Sequence, residues 1–214
     1  MTLAAQSGDI SRPASAARAD ASASTTALAD LLAGNRRFVD GRPRYGHDVA
    51  AAAATSAGQQ PRAFVIGCID SRVPLEAIFD QTFGSVCVGR TGGQVLDQAL
   101  VGSVEFAVET LGVPLVMVLG HERCGAVAAT VEALRAGHRP PGGLGYLVDE
   151  IAPAVRAAGL HAPDAYGRAL RLHVAATVTR LAGNDVVAAA VDAGRLAVVG
   201  AIYDLDTGRV EQLR

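Results

Sequence analysis

Residues 63–74 read Ala-Phe-Val-Ile-Gly-Cys-Ile-Asp-Ser-Arg-Val-Pro, an apolar run of strand length that leads into a cluster of chemically active side chains. A second run, residues 114–125, reads Pro-Leu-Val-Met-Val-Leu-Gly-His-Glu-Arg-Cys-Gly. Short apolar runs that end at turn residues predict buried strands of a parallel sheet. Because a helix is predicted after each run, the polar residues that follow both strands are expected at the carboxyl edge of the sheet.

The rest of the chain continues the alternation of strands and helices. Further strands are predicted at 86–88 and 196–203, and residues 206–208 turn the last one into a short hairpin partner that ends at Leu213. Helices are predicted at 27–40, 50–57, 74–79, 98–111, 125–136, 146–158 and 165–181. This pattern predicts an α/β domain with a mostly parallel central sheet flanked by helices.

The first 26 residues differ in composition from everything that follows. They are rich in Ala, Ser, Arg and Asp and poor in bulky apolar residues, so we expect residues 1–26 to be a disordered extension. Residues 27–214 are then expected to form one domain, which begins with an N-terminal helical arm.

Composition narrows the partners and the compartment. The net charge of −2 gives no bulk attraction for nucleic acid, and no apolar run approaches the ~20 residues that span a bilayer, so neither partner is expected. The chain has 3 cysteines, an odd count, and no pattern of a secretory signal. A disulfide framework is therefore not expected, and we predict a reduced, cytoplasmic location in which thiolates are free to bind a metal.

Three side chains at the predicted edge are soft ligands suited to zinc. Cys68 follows the first strand, and His121 and Cys124 lie three residues apart where the second strand passes into a helix. Two thiolates and one imidazole leave a fourth position open for catalysis. The alternative for each residue alone is simple burial in the core, and burial in a strand is the interpretation that we give Cys87.

A carboxylate and a cation, Asp70 and Arg72, stand two residues apart after the first strand. They are either a local ion pair or a functional pair, in which the arginine keeps the carboxylate ionised while the carboxylate accepts a hydrogen bond from water on the metal. Asp70 could instead ligate zinc as a fourth ligand in a closed state, and the sequence leaves these alternatives open. Residues 89–94 lack the ending of a phosphate loop and predict a tight turn beside a small pocket. The other histidines, among them His173, are assigned to the surface or to positions behind the ligands.

These runs resemble the β-class carbonic anhydrase family, from about Ala27 to the C-terminus. The resemblance lies in Cys68-x-Asp70-Ser71-Arg72 and in His121-x-x-Cys124-Gly125, with weaker similarity at residues 34–38, 103–113 and 203–205. It implies that Cys68, His121 and Cys124 bind Zn²⁺ and that Asp70 and Arg72 are the catalytic dyad. The implied reaction is the reversible hydration of carbon dioxide to bicarbonate and a proton.

The resemblance also implies an assembly and two further site residues. The expected sheet has four parallel strands and an antiparallel fifth, and the expected unit is a homodimer, which in many members of the family associates into a tetramer. Gln59 corresponds to a glutamine that in one branch of the family binds substrate from across the subunit interface, and Gly125 is expected beside the substrate.

Two other functions fit the same residues. Carbonyl sulfide and carbon disulfide are linear, apolar molecules similar in form to carbon dioxide, so a hydrolase of either could keep the same motifs. A zinc domain that serves binding or assembly without catalysis is the third interpretation. The Asp70–Arg72 pair favours an enzyme, because a closed structural metal site does not need it.

Overall fold

A five-stranded sheet forms the centre of the computed structural model, which describes residues 17–213, with side chains from residue 23 onward. The strand order is β2-β1-β3-β4-β5, with β1 at Ala63–Cys68, β2 at Val86–Thr91, β3 at Leu115–His121, β4 at Ala197–Tyr203 and β5 at Val210–Gln212. The strands β1 to β4 are parallel, and β5 runs antiparallel to β4. The predicted fold class, four parallel strands plus an antiparallel fifth between helices, is confirmed.

The helices occupy the connections between strands. Their bounds are α1 Ala17–Val39, α2 Val49–Ala54, α3 Leu75–Ile78, α4 Gln98–Glu109, α5 Gly125–Arg135, α6 Gly142–Ala158, α7 Ala165–Ala182 and α8 Asp185–Asp192. The sequence analysis did not predict α8. Its start is fixed by Asn184, whose side chain accepts hydrogen bonds from the backbone N–H groups of Val186 and Val187.

The beginning of α1 corrects one prediction. A disordered extension was predicted for residues 1–26, whereas the backbone is helical from Ala17. Residues 17–26 are mostly Ala, Ser and Asp, so they carry no apolar periodicity for a sequence pattern to detect, although alanine is the best helix former. The rest of that prediction, residues 1–16, lies outside the described residues.

The central strands are buried on both faces, which explains their continuous apolar sequences. On one face, Ile66 and Val118 pack with apolar residues of α4 to α8. On the other face, Val65 and Met117 pack with apolar residues of α1 and α3. This double cover holds the carboxyl ends of β1 and β3 in fixed positions side by side.

The contact of α1 with α3 and the β4–β5 hairpin is a second well-defined region, which we call the arm seam (Gly34, Asn35, Arg37 and Asp80). A Cβ atom on Gly34 would lie 1.7 Å from the Phe79 carbonyl oxygen, so only glycine permits this close approach. The Asn35 amide nitrogen donates to the carbonyl oxygens of Ile78 (3.2 Å) and Gly208 (2.8 Å). Its oxygen accepts from the backbone N–H of Val210 at 2.9 Å, which ties the helix to the last strand.

A buried carboxylate completes the arm seam. Asp80, with 2% of its surface exposed, accepts hydrogen bonds from the Arg37 guanidinium and from the backbone N–H groups of Arg44 (3.0 Å) and Tyr45 (3.1 Å). Burial alone would raise the pKa of Asp80, but these hydrogen bonds outweigh it and lower the pKa below its ordinary value. The carboxylate therefore stays charged while it orders the segment that follows α1.

Within residues 17–213, no single helix is long and apolar enough to cross a membrane. Only α7 and α8 taken together reach the required length and composition, and they are bent by 82° at their junction. Their apolar residues pack in the core against the sheet.

Candidate metal centre

Three ligand-bearing side chains converge at the carboxyl edge of the sheet. Cys68 is the last residue of β1, His121 is the last residue of β3, and Cys124 immediately precedes α5. Their ligand atoms all lie within 4.8 Å of one another, and all three residues are buried. The predicted convergence of Cys68, His121 and Cys124 is therefore present, and Cys87 lies outside this cluster.

The two thiols of the cluster shift each other's pKa in opposite directions. A hydrogen bond from Cys124 lowers the pKa of Cys68 well below its ordinary range, against the opposing effect of burial. The same hydrogen bond, together with burial, raises the pKa of Cys124. The backbone N–H of Gly93 also donates to the Cys68 sulfur, at 3.3 Å. One thiolate charge is thus already stabilised by the fold, as a site for a soft cation requires.

His121 turns one ring nitrogen toward the cluster and the other toward the backbone. Its Nδ1 lies 2.9 Å from the backbone carbonyl oxygen of Glu122. Because a carbonyl oxygen carries no proton, Nδ1 is the donor of that hydrogen bond. Its Nε2 is buried and has no hydrogen-bond partner among the described residues. A buried ring nitrogen left as a free acceptor beside two thiols fits a divalent metal ion such as zinc.

The Asp70–Arg72 pair lies beside this cluster. Arg72 donates to both carboxylate oxygens of Asp70, from Nε at 2.9 Å and from Nη2 at 2.6 Å, and its backbone N–H donates at 3.0 Å. These bonds, above all those of the guanidinium, hold the pKa of Asp70 far below its ordinary value. One Asp70 oxygen lies 3.9 Å from His121 Nε2, so the ionised carboxylate borders the space that a metal would occupy.

A second arginine fixes the turn that carries Asp70. Arg90, near the end of β2, donates from Nε to the carbonyl oxygen of Cys68 (2.7 Å) and from Nη2 to that of Asp70 (2.6 Å). The sequence analysis placed Arg90 in the tight turn predicted at residues 89–94, beside a small pocket, but not against the turn that carries Asp70. Only the parallel register of β1 and β2, which places Gly67 opposite Arg90, brings it there.

The structure places the remaining predicted site residues in different environments. Gly125 is the exposed first residue of α5, next to Cys124. Gln59 precedes the amino end of β1, at the opposite edge of the sheet, and the length of that strand puts it about 20 Å from the cluster of its own chain. Cys87 is half-buried in β2 beside the apolar core, and burial raises the pKa of its thiol.

Comparisons with known proteins agree with this geometry. The family model described as carbonic anhydrase matches residues 63–210. Carbonic anhydrase 2 of Mycobacterium tuberculosis is 44% identical over 184 residues, which cover 84% of this chain and 87% of the relative. The carbonic anhydrase of Mycolicibacterium smegmatis is 42% identical over 186 residues, covering 85% and 89%.

A solved structure shares the fold as well. The β-carbonic anhydrase of Coccomyxa superimposes with a TM-score of 0.67 at 28% identity, covering 87% of this chain and 86% of that one. The sheet order, the cluster at its carboxyl edge and these matches agree. The chain belongs to the β-class carbonic anhydrase family of enzymes.

Proposed function

We propose that the protein catalyses the reversible hydration of carbon dioxide to bicarbonate and a proton, at a zinc ion held by Cys68, His121 and Cys124. One observation carries the proposal: a buried His121 Nε2 without a partner among the described residues and two buried thiols converge beside the Asp70 carboxylate, which Arg72 holds through two hydrogen bonds. Zinc, when bound, would supply the Lewis acidity that makes water a nucleophile near neutral pH.

Asp70 and Arg72 orient the water in this proposal. The bidentate guanidinium holds Asp70 in one orientation and keeps it ionised, so that a free lone pair can accept a hydrogen bond from the attacking water. Because both carboxylate oxygens are bonded to Arg72, we further propose that Asp70 stays on Arg72 and off the metal at rest. Gly125 presents an unhindered backbone beside the site, where a linear substrate could approach.

Stopped-flow hydration of carbon dioxide with a pH indicator tests the activity directly. The zinc-loaded full chain should accelerate proton release, and Asp70→Asn at equal zinc content should not. If the wild type held one zinc per chain and showed no hydration, the non-catalytic zinc domain would replace this proposal. If carbonyl sulfide or carbon disulfide were hydrolysed while carbon dioxide was not, the alternative hydrolase would replace it.

We also propose that the working unit is a homodimer, which can associate further into a tetramer, with Gln59 acting on the site of the other subunit. Two observations support this. Gln59 lies near the amino ends of the strands, opposite to the cluster at their carboxyl ends. The outermost strand on one side of the sheet is β2, and its residues are mostly half-exposed. Two tetrameric β-carbonic anhydrases of Sordaria macrospora share the fold, with a TM-score of 0.69 for the matched chain.

Mixing two inactive variants tests whether Gln59 acts across the interface. In a mixed dimer of Gln59→Ala and Asp70→Asn chains, the first chain keeps Asp70 and receives Gln59 of the partner subunit, so one complete site is restored. Activity should therefore rise after the subunits are exchanged, to about half that of the wild type in the mixed species. No recovery, in spite of mixed dimers shown by mass spectrometry, would place Gln59 outside the substrate site.

A further inference from the structure

A turn with a strained backbone contacts the candidate zinc centre at Cys68. Residues Gly92–Gln94 connect β2 to the segment before α4, and Gly93 and Gln94 both have positive φ angles, of 63° and 49°. The left-handed conformation is unfavourable for a glutamine, by about 1 kcal/mol or more, so contacts around the turn must stabilise it. One of these contacts is the hydrogen bond from the Gly93 N–H to the Cys68 sulfur.

The turn is confined on the side away from Cys68. A Cβ atom on Gly93 would lie 2.9 Å from the Ala126 side chain, 3.0 Å from Ile151 and 4.0 Å from the sulfur of Cys124. Gly93 is therefore wedged between α5, α6 and the two sulfurs. A small rotation of its backbone would change the direction in which its N–H points.

A buried histidine of α7 contacts the carbonyl oxygen of Gly93. His173 lies in the middle of α7 with 5% of its surface exposed, and its Nε2 is 2.8 Å from the carbonyl oxygen of Gly93. A carbonyl oxygen has no proton, so the ring must donate from Nε2. Burial lowers the pKa of His173 more than the hydrogen bond with Gly93 and the nearby Glu150 raise it, which favours the neutral ring with its single proton.

The histidine and the sulfur therefore act on two sides of one glycine. The side-chain hydrogen bond of His173 is the one to the Gly93 carbonyl oxygen. An imidazole is not otherwise needed in the middle of a helix that packs in the core. A leucine there would cover the same apolar surface but would leave the buried Gly93 carbonyl without this donor, at a cost of about 1–3 kcal/mol.

We propose that His173 is a positioning residue for the zinc centre: it fixes Gly93 so that the glycine N–H donates to the Cys68 thiolate. His173 can play this part only if the zinc centre of the proposed function exists. A hydrogen bond to a thiolate withdraws electron density from the sulfur, so the sulfur donates less to the metal and the metal keeps more of its Lewis acidity. His173 thereby tunes the metal through one backbone residue, without touching metal or substrate.

Two nearly isosteric substitutions separate the hydrogen bond from packing. His173→Gln keeps a side-chain N–H donor, whereas His173→Met fills a similar volume without one. With cobalt(II) in place of zinc, the sulfur-to-cobalt charge-transfer band should move to longer wavelength in His173→Met and stay near the wild-type position in His173→Gln. Zinc release to a chelator should be ~10-fold faster in His173→Met than in His173→Gln, because a Cys68 sulfur that lacks the Gly93 hydrogen bond is no longer held in place and is more easily protonated.

The control is Leu181→Ala, a buried residue of the same helix that lies two turns beyond His173. It should lower stability and leave the band in place, which separates a loosened helix from a lost hydrogen bond. The same band position and zinc release in the Met and Gln variants would overturn the inference. Absence of any sulfur-to-cobalt band in the wild type would overturn the metal centre itself, and the inference with it.

A measurement on the wild type keeps the test decisive if His173→Met does not fold. Long-range ¹H–¹⁵N spectra of the zinc-loaded protein report which ring nitrogen of a histidine carries the proton. We expect the proton of His173 on Nε2, with a cross-hydrogen-bond coupling to the Gly93 carbonyl carbon. A proton on Nδ1 would contradict the proposal, because Nε2 could not then donate.

Discussion

The arm seam and the carboxyl edge of the sheet both bury polar side chains, but they leave them in opposite states. At the arm seam, Asn35 and Asp80 use both ends of the amide and both oxygens of the carboxylate within the chain. At the carboxyl edge, Nε2 of His121 and the amide of Gln94 are buried without partners among the described residues. There, too, the Cys68 and Cys124 thiols are both buried, and each shifts the pKa of the other.

This difference separates structural polar groups from functional ones. A buried polar group without a partner costs about 1–3 kcal/mol, so a fold keeps one only where something else compensates. At the arm seam the compensation is internal, and the result is a fixed position of α1. At the carboxyl edge, a bound metal would satisfy His121 and both sulfurs together.

The largest effect is expected from substitution of the two sulfur ligands. Cys68→Ser and Cys124→Ser should each lose zinc and most activity, by a factor of ~100 or more, because a hard hydroxyl replaces a soft thiolate. Metal analysis of the purified proteins measures this. Cys87→Ser is the control and should retain one zinc per chain; if Cys87 were required for metal and Cys124 were not, the proposed ligand set would be wrong.

The next effect concerns catalysis without metal loss. Asp70→Asn should retain zinc but lose ~10²-fold or more in rate, because an amide cannot accept the same hydrogen bonds. Arg72→Lys should also be slow, since a point charge does not reproduce the guanidinium fork.

The control for Arg72→Lys is Arg139→Lys. Arg139 makes a similar forked contact with Asp149 on the surface, at 3.1 Å and 2.7 Å. The Arg139→Lys variant should hydrate carbon dioxide at the wild-type rate. A wild-type rate for Asp70→Asn at matched zinc content would contradict the assigned role.

A change at the arm seam should reverse the pattern, with stability lost and zinc kept. Asp80→Asn places an amide N–H against donors and removes a buried charge from its partners, at a cost of about 3 kcal/mol. Denaturant unfolding at fixed protein concentration measures the free energy, and metal analysis should still find one zinc. If Asp80→Asn lost zinc without losing stability, the arm seam could not be called structural and the carboxyl edge functional.

The pH dependence of this effect follows from linkage. The pKa of Asp80 is lowered in the folded state, so its stabilisation is complete above the ordinary carboxyl pKa of about 4 and is lost as the pH falls through the folded pKa. The difference in unfolding free energy between the wild type and Asp80→Asn should be constant from pH 7 to pH 5 and should shrink below pH 4. A constant difference down to pH 2 would show that folding does not lower the pKa of Asp80.

The smallest effect is expected at the N-terminus. Deletion of residues 1–25 should leave zinc content and activity nearly unchanged, because the first buried residue among the described side chains of α1 is Ala27. Deletion through residue 40 should be severe, since it removes Leu31 and the whole α1 side of the arm seam. Sedimentation and activity of both truncations measure this, and a stable, active monomer from the longer deletion would contradict the dimer.

Sequence predicted the elements whose pattern is local. The runs at 63–67 and 114–119 are continuous because both faces of β1 and β3 are buried. Cys68 and His121 end these two strands, and Cys124 lies three residues beyond β3. Asp97 immediately precedes the helix predicted at 98–111 and accepts a hydrogen bond from the backbone N–H of Leu100 at 2.8 Å. Where a strand ends in reactive residues, sequence therefore located both the fold and the candidate site.

Contacts between distant parts of the chain could not be predicted in this way. His173 is 80 residues from Gly93, and the Asp80 carboxylate meets Arg37 across 43 positions, so no local pattern reports either contact. The short helix α8 was missed although Asn184 is a good helix start, because six apolar residues among eight give little periodicity. The cytoplasmic location stays a prediction.

X-ray absorption at the zinc edge tests the central claim most directly, that His121 Nε2 and the sulfurs of Cys68 and Cys124 are ligands held in place for zinc. For the zinc-loaded wild type, we expect two sulfur neighbours at about 2.3 Å, one imidazole nitrogen at about 2.0–2.1 Å and one further light atom, and Cys124→Ser should reduce the sulfur count. A first shell with fewer than two sulfurs, or without imidazole, would contradict the account.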